Sequence, residues 1–195
     1  LGHFDSFGVN LVCVIFLWIA ALNFALHYGA ASGRSLKGYF YDPELKAFFL
    51  IQIALVLICF LVLVQFSWFD NAGIAFDQAL IQSVSISTTA GFATADFSSW
   101  PAFLPIMLIF SSFIGGCAGS TGGGLKVIRV FLLYLQGKRE VDRLIHPKAV
   151  YSVKLGDRAL PDRVVEAVWG FFSAYAMICV IIMVCLIATG MDDVS

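Results

Sequence analysis

From Ala47 to Leu125 the chain contains no lysine and no arginine. Its cations crowd into two windows, with Arg34, Lys37 and Lys46 in one and the other nine between Lys126 and Arg163. The stretches 1–10, 67–101 and 190–195 carry acids only: Asp5, Asp70, Asp77, Asp96, Asp192 and Asp193. Charge sorted this way is the pattern of a chain that crosses a bilayer several times, because Lys and Arg are held on the cytoplasmic side. Composition agrees. Apolar residues make up 60% and charged residues 13%, against about 25% charged in a soluble domain, and the mean hydropathy is +0.90. The expected class is an all-α polytopic membrane protein in contact with lipid, with no surface for nucleic acid.

Placing both basic windows in the cytoplasm gives four spans: 11–31 inward, 47–66 outward, 102–134 inward and 163–189 outward. Each reaches the ~20 residues a transmembrane helix needs. Asp42-Pro43-Glu44 is expected to start the second of these helices, and Asp162 to cap the last. Segment 75–100 cannot be a fifth span, because both its ends lie outside. Its apolar run from Ala75 to Ile86 favours a re-entrant helix, with Asp77 as its N-cap. Trp68 and Trp100 flank this outer segment as interfacial indoles.

The re-entrant helix runs into Thr88-Thr89-Ala90-Gly91-Phe92. A helix of ~12 residues descends about 18 Å, roughly half the ~30 Å hydrocarbon core. A polar turn at that depth is tolerated only if protein covers it or water reaches it. Successive carbonyls of Thr88, Thr89, Ala90, Gly91 and Phe92 can then replace the hydration shell of a cation. Gly91 permits close approach to an axis, and Asp96 at the outer mouth would concentrate cations. The plain alternative is an extracellular loop with a glycine turn.

Span 102–134 contains Gly115, Gly116, Gly119, Gly122, Gly123 and Gly124 within ten residues, with Ser120 and Thr121 among them. At about 0.8–1.0 kcal/mol each relative to Ala, these glycines cost a continuous helix ~5 kcal/mol. Helix is expected to resume at Leu125 and stop near Gly137. The break is read as a loop facing a permeation path, where its backbone can obstruct or open it; close packing through small residues is the alternative. A phosphate loop is excluded, since Leu125 stands at its lysine position and Val127 at its hydroxyl position. Lys126 and Arg129 are expected at the inner mouth, with snorkelling to the cytoplasmic surface as the plain alternative.

The remainder is less informative. Asn23 and His27, four apart, share a helix face as pocket residues or interhelical hydrogen-bonding groups. Residues 150–160 read as a small hairpin with a Gly156-Asp157 turn. The five cysteines show no metal or disulfide spacing. His3, His27 and His146 are scattered and no triad-like clustering occurs, so no enzyme is expected. The chain does not begin with Met and is expected to be an internal piece of a larger membrane protein.

Four stretches together, STTAGFATADFSSWP, FIGGCAGSTGGGLKVIR, HPKAVYSVKLGDR and EAVWGFFSAY, carry a family likeness. Through them essentially the whole chain resembles the Trk-type membrane subunit of bacterial potassium uptake systems, in the superfamily with the Ktr and HKT transporters. The resemblance implies four helix–pore loop–helix repeats around one potassium-channel-like pore, incomplete here. Residues 1–34 would end the second repeat, and 35–46 would be a cytoplasmic loop. Residues 47–134 would be the whole third repeat, with pore helix and filter at 75–95 and a broken span at 102–134. Residues 135–162 would form a second cytoplasmic loop, and 163–195 would open the fourth repeat. The resemblance also implies a selectivity filter at Thr88–Phe92 and an intramembrane gating loop at Gly115–Gly124. It further implies potassium as the transported ion, no organic cofactor, a homodimer, a cytosolic nucleotide-binding regulatory subunit, and the bacterial inner membrane. Ala93 stands where potassium channels place the second glycine of Thr-Val-Gly-Tyr-Gly, so one carbonyl layer is expected to differ. Ion-coupled symport on the same fold is the alternative mode of transport.

Overall fold

A computed structural model describes residues 2–4, 6–33, 36–101, 103–146, 154–155 and 158–189. The chain divides into two units, Leu1–Val130 and Phe131–Ser195.

The first unit begins with α1 (Phe7–Ala21) and α2 (Phe24–Gly33), which meet at a bend of 90°. The span expected as one helix over 11–31 is therefore broken at Leu22 and Asn23. Asn23 does not share a helix face with His27; its Oδ1 accepts from the Ala25 N–H at 2.9 Å and so starts α2. His27 Nδ1 lies 2.6 Å from the Tyr39 hydroxyl, and its Nε2 lies 2.9 Å from the Ile19 carbonyl. A short helix, α3 (Lys37–Tyr41), leads to α4 (Pro43–Gln65).

Helix α4 starts where Asp42-Pro43 dictates. The Asp42 side chain accepts from the Leu45 N–H at 3.0 Å, and Pro43 takes the first helical position, where its missing N–H costs nothing. Its 23 residues extend about 34 Å, enough to cross the hydrocarbon core. Helix α5 (Ala72–Ser87) follows. Its cap is Asn71, which accepts from the Gly73 N–H at 2.7 Å. Asp77 lies farther along, because the helix begins five residues before it, and its Oδ2 instead accepts from Asn10 Nδ2 at 2.7 Å.

Helix α6 (Leu104–Ile114) and helix α7 (Val127–Ile145) are separated by the glycine-rich stretch, as expected. Helix α5 packs against α4, α1 and α6. One buried cluster joins Cys59 and Leu63 of α4, Ala75 and Ala79 of α5, and Leu104 and Leu108 of α6. Trp100 belongs to that cluster and is 3% exposed, so it is a core residue rather than an interfacial indole. The 3₁₀ turn Phe97–Ser99 before it folds the indole inward. A second cluster, Val14, Val56, Leu80, Ile81 and Val84, ties α1 to α4 and α5.

In the second unit α7 continues past Gly137 to Ile145, contrary to the expected stop. One glycine costs only about 1 kcal/mol, and the turn around it is supported by Gln136 Nε2 donating to Glu140 Oε1 at 2.8 Å. Strands β1 (Lys154–Leu155) and β2 (Arg158–Ala159) pair antiparallel. That is the expected hairpin, with its Gly156-Asp157 turn outside the described residues. Helix α8 (Asp162–Ala188) carries its charges, Asp162, Arg163 and Glu166, near its start and is largely apolar beyond them. Asp162 is its first residue and makes no cap; its carboxylate accepts from Arg139 Nη1 at 2.6 Å.

Among the described residues α4 and α8 are each long and apolar enough to cross a membrane, and α1 with α2 qualifies as a bent pair.

Candidate functional site

The turn after α5 is held by its own backbone. The Thr88 N–H donates to the Val84 carbonyl, Thr89 to Ile86, and Ala90 to Ser85, at 2.9–3.0 Å. These bonds consume donors. The carbonyls of Thr88, Thr89, Ala90, Gly91 and Phe92 accept no hydrogen bond among the described residues. Gly91 has φ +77, and a Cβ placed there would meet no atom within 4 Å; the backbone angle, not space, excludes a side chain. Thr89 also has positive φ, at 61°, which for a β-branched residue costs on the order of 1–3 kcal/mol and persists only where the surroundings enforce it. Its side chain accepts a bond from the Gly123 N–H, at Oγ1 and 2.6 Å.

That bond comes from the glycine-rich loop, which leaves α6, reaches sideways and returns. Its base is closed: Leu125 N–H donates to the Phe113 carbonyl at 2.7 Å, Lys126 to Ile114 at 2.9 Å and Val127 to Gly116 at 3.0 Å. Its outer part fills the break between α1 and α2. Cys117 N–H donates to Ala21, Thr121 N–H and Oγ1 donate to Ala20, and Phe24 N–H donates to the Gly119 carbonyl. The backbone groups freed by both interrupted spans thus satisfy one another, which irregular backbone at membrane depth requires. Gly122 lies directly against the turn, where a Cβ would stand 2.9 Å from the Thr88 carbonyl oxygen. A cavity of about 110 Å³ remains between them, lined by Thr88, Thr89 and Ala90, by Thr121 and Gly122, and by Leu17, Ala20 and Ala21.

Two side chains hold the loop. Glu44, 6% exposed in the first turn of α4, accepts with Oε1 from the Ala118 N–H at 2.6 Å and the Ile128 N–H at 3.2 Å. It thereby joins the loop to the first turn of α7. Lys126, at φ +77, folds back on the loop: Nζ donates to the Gly122 carbonyl and to Ser120 Oγ. Arg129 Nη1 donates to the Leu125 carbonyl at 3.1 Å.

Asp96 is exposed after the turn and caps the 3₁₀ turn, accepting from Ser98 Oγ at 2.6 Å and from Ser98 N–H at 3.0 Å. These two bonds, the hydroxyl's first, hold its carboxyl below its ordinary value of 3.8, so it stays charged at physiological pH.

The structure therefore brings Thr88, Thr89 and Ala90 together with Gly122 and Gly123, and sets Gly115, Gly116, Gly119, Ser120, Thr121 and Gly124 in the same loop. Sequence reasoning overlooked Glu44, because a span drawn from residue 47 leaves it in a cytoplasmic loop. It also overlooked Gln52 and Gln82. Gln52 is buried and donates from Nε2 to Ser87 Oγ at 2.8 Å. A glutamine inside an apolar helix was the available signal.

The family model for TrkH, a cation transport protein, matches residues 1–194. The chain is 59% identical over its whole length to the Trk system potassium uptake protein TrkH of Vibrio parahaemolyticus, and covers 41% of that relative. It is 55% identical to the protein of the same name from Escherichia coli K12, covering 40% of it. The crystal structure of the potassium transporter TrkH from Vibrio parahaemolyticus superposes with a TM-score of 0.94 at 60% identity, over 99% of this chain and 42% of that one. The chain spans about two fifths of the length of these relatives. With motif, fold and loop geometry in agreement, the chain belongs to the TrkH family of cation transport proteins.

Proposed function

We propose that this segment supplies one filter turn and the intramembrane gate of a pore for potassium uptake across the bacterial cell membrane. The observation that carries the reading is the turn Thr88–Phe92, whose run of carbonyls is free of hydrogen bonds among the described residues while the N–H groups of Thr88, Thr89, Ala90 and Gly91 are occupied. Such carbonyls suit a dehydrated monovalent cation. The glycine-rich loop lies against the same turn, in the position of an obstruction that must move for ions to pass. Asp96 adds negative charge at the outer mouth, and Lys126 and Arg129 form the inner boundary. Potassium is the ion named for the Trk relatives, which supports it as the cargo here, with transport rather than catalysis as the activity. The homodimer, the cytosolic nucleotide-binding subunit and the inner-membrane location are part of this proposal and rest on the family likeness.

The test is Gly91→Ser in the complete protein, expressed in a bacterium lacking its own potassium uptake. A side chain at φ +77 strains the turn by about 1–2 kcal/mol, and the potassium-over-sodium preference in a flux assay should fall about tenfold or more. Unchanged selectivity at a normal protein level would remove Gly91 from the filter. Flux that persists without any proton or sodium gradient favours a channel; flux that stops favours symport.

A further inference from the structure

Beyond the turn, residues 93–95 run back alongside α5 and are tied to it by two glutamines. Gln82 Nε2 donates to the Ala95 carbonyl at 2.6 Å, and Thr94 Oγ1 donates to Gln78 Oε1 at 2.6 Å. Gln78 and Gln82 are four apart, so they stand one helical turn from each other on the same face. Gln82 is 0% exposed, and its Oε1 has no partner among the described residues. A buried amide with one end unsatisfied carries a desolvation cost that a methionine of similar size would avoid. What the amide secures is the position of Ala95. Beside these ties lies a cavity of about 290 Å³, lined by Gln82 and Ile86 of α5, by Thr89, Gly91, Phe92 and Ala93, and by Phe97 and Ser112. The two amide ties join α5 directly to the returning limb.

We infer that Gln82 and Gln78 are positioning residues for ion selectivity. They fix the limb at 93–95, and through it they limit how far the carbonyls of Thr88–Phe92 can close on a cation smaller than potassium. The inference rests on the filter reading proposed above. Neither residue touches the ion; each acts through the backbone it holds.

The experiment compares Gln82→Met, Thr94→Val and Gly91→Ser in the complete protein, measuring KM and maximal rate for potassium, rubidium and sodium uptake. Gln82→Met removes the donor and keeps the volume. The ratio of potassium to sodium KM should shift toward sodium by about fivefold, the factor one neutral hydrogen bond is worth, while maximal potassium flux per molecule changes little. Thr94→Val, which removes the hydroxyl at constant shape, should shift it in the same direction by less. A purely structural role would instead lower maximal flux for all three ions together and leave the ratios alone, and that result overturns the inference. If Gly91→Ser moves selectivity and the other two do not, the filter stands and the glutamine ties do not set it. If none of the three moves it, the filter reading fails and takes this inference with it. Should Gln82→Met not accumulate, the ratio measured on Thr94→Val decides alone.

Discussion

Glu44 is the residue on which the glycine-rich loop depends most directly. One carboxyl oxygen receives N–H groups from both sides of the loop, at Ala118 and at Ile128. Both donors come from irregular or first-turn backbone, which has no partner of its own. Glu44→Ala leaves two N–H groups without an acceptor in a buried site, at roughly 1–3 kcal/mol each. We expect the complete protein in detergent to lose about 3 kcal/mol of stability, read as a lowered thermal unfolding midpoint. Glu44→Gln keeps an acceptor oxygen and should lose less than half as much. Equal midpoints for wild type and Glu44→Ala would show that the loop is held by its other bonds. Asp96 illustrates the opposite case: the sequence marks it only as an acid after the turn, and its work in capping the turn before Trp100 depends on Ser98, which composition does not reveal.

At the scale of elements, two interruptions of helix had different visibility. Six glycines between Gly115 and Gly124 announce their break through cumulative propensity, and the structure puts it there. The break between α1 and α2 has no such signature. Leu22 and Asn23 interrupt an apolar run that reads as one helix, and the cause is tertiary: the carbonyls of Ala20 and Ala21 accept from N–H groups of the loop, and Phe24 N–H donates to the Gly119 carbonyl. Propensity cannot report a bond that arrives from a hundred residues away. Gly137 errs the other way, since a single glycine is outweighed by the hydrogen-bonded side chains around it. The loop also carries the element-scale prediction. Deleting Gly119–Gly123 removes the contact of Gly122 and Gly123 with Thr88 and Thr89, along with the bonds that fill the α1–α2 break. If the loop is a gate, potassium flux per molecule should rise by about tenfold and depend less on the proposed cytosolic subunit, even though the protein is less stable. If the loop serves packing alone, the protein should fail to fold and carry no flux. A folded deletion protein with unaltered, still-regulated flux would contradict the gate.

For the whole molecule, charge segregation and apolar run length were enough to read the helical membrane class and the two continuous helices α4 and α8. The turn at Thr88–Phe92 was legible as a candidate from one glycine in a polar segment at membrane depth. What binds it to the loop was not, because Thr89 and Gly123 meet only once α4, α5 and α6 have packed. The central claim is that the free carbonyls of this turn hold the transported ion. Crystals of the complete protein grown in potassium and exchanged into thallium, a heavy ion of similar size, test it most directly through anomalous scattering. We expect a peak coordinated by carbonyl oxygens from the stretch Thr88–Phe92. A clear thallium peak elsewhere in the pore, with none at these carbonyls, would contradict the claim.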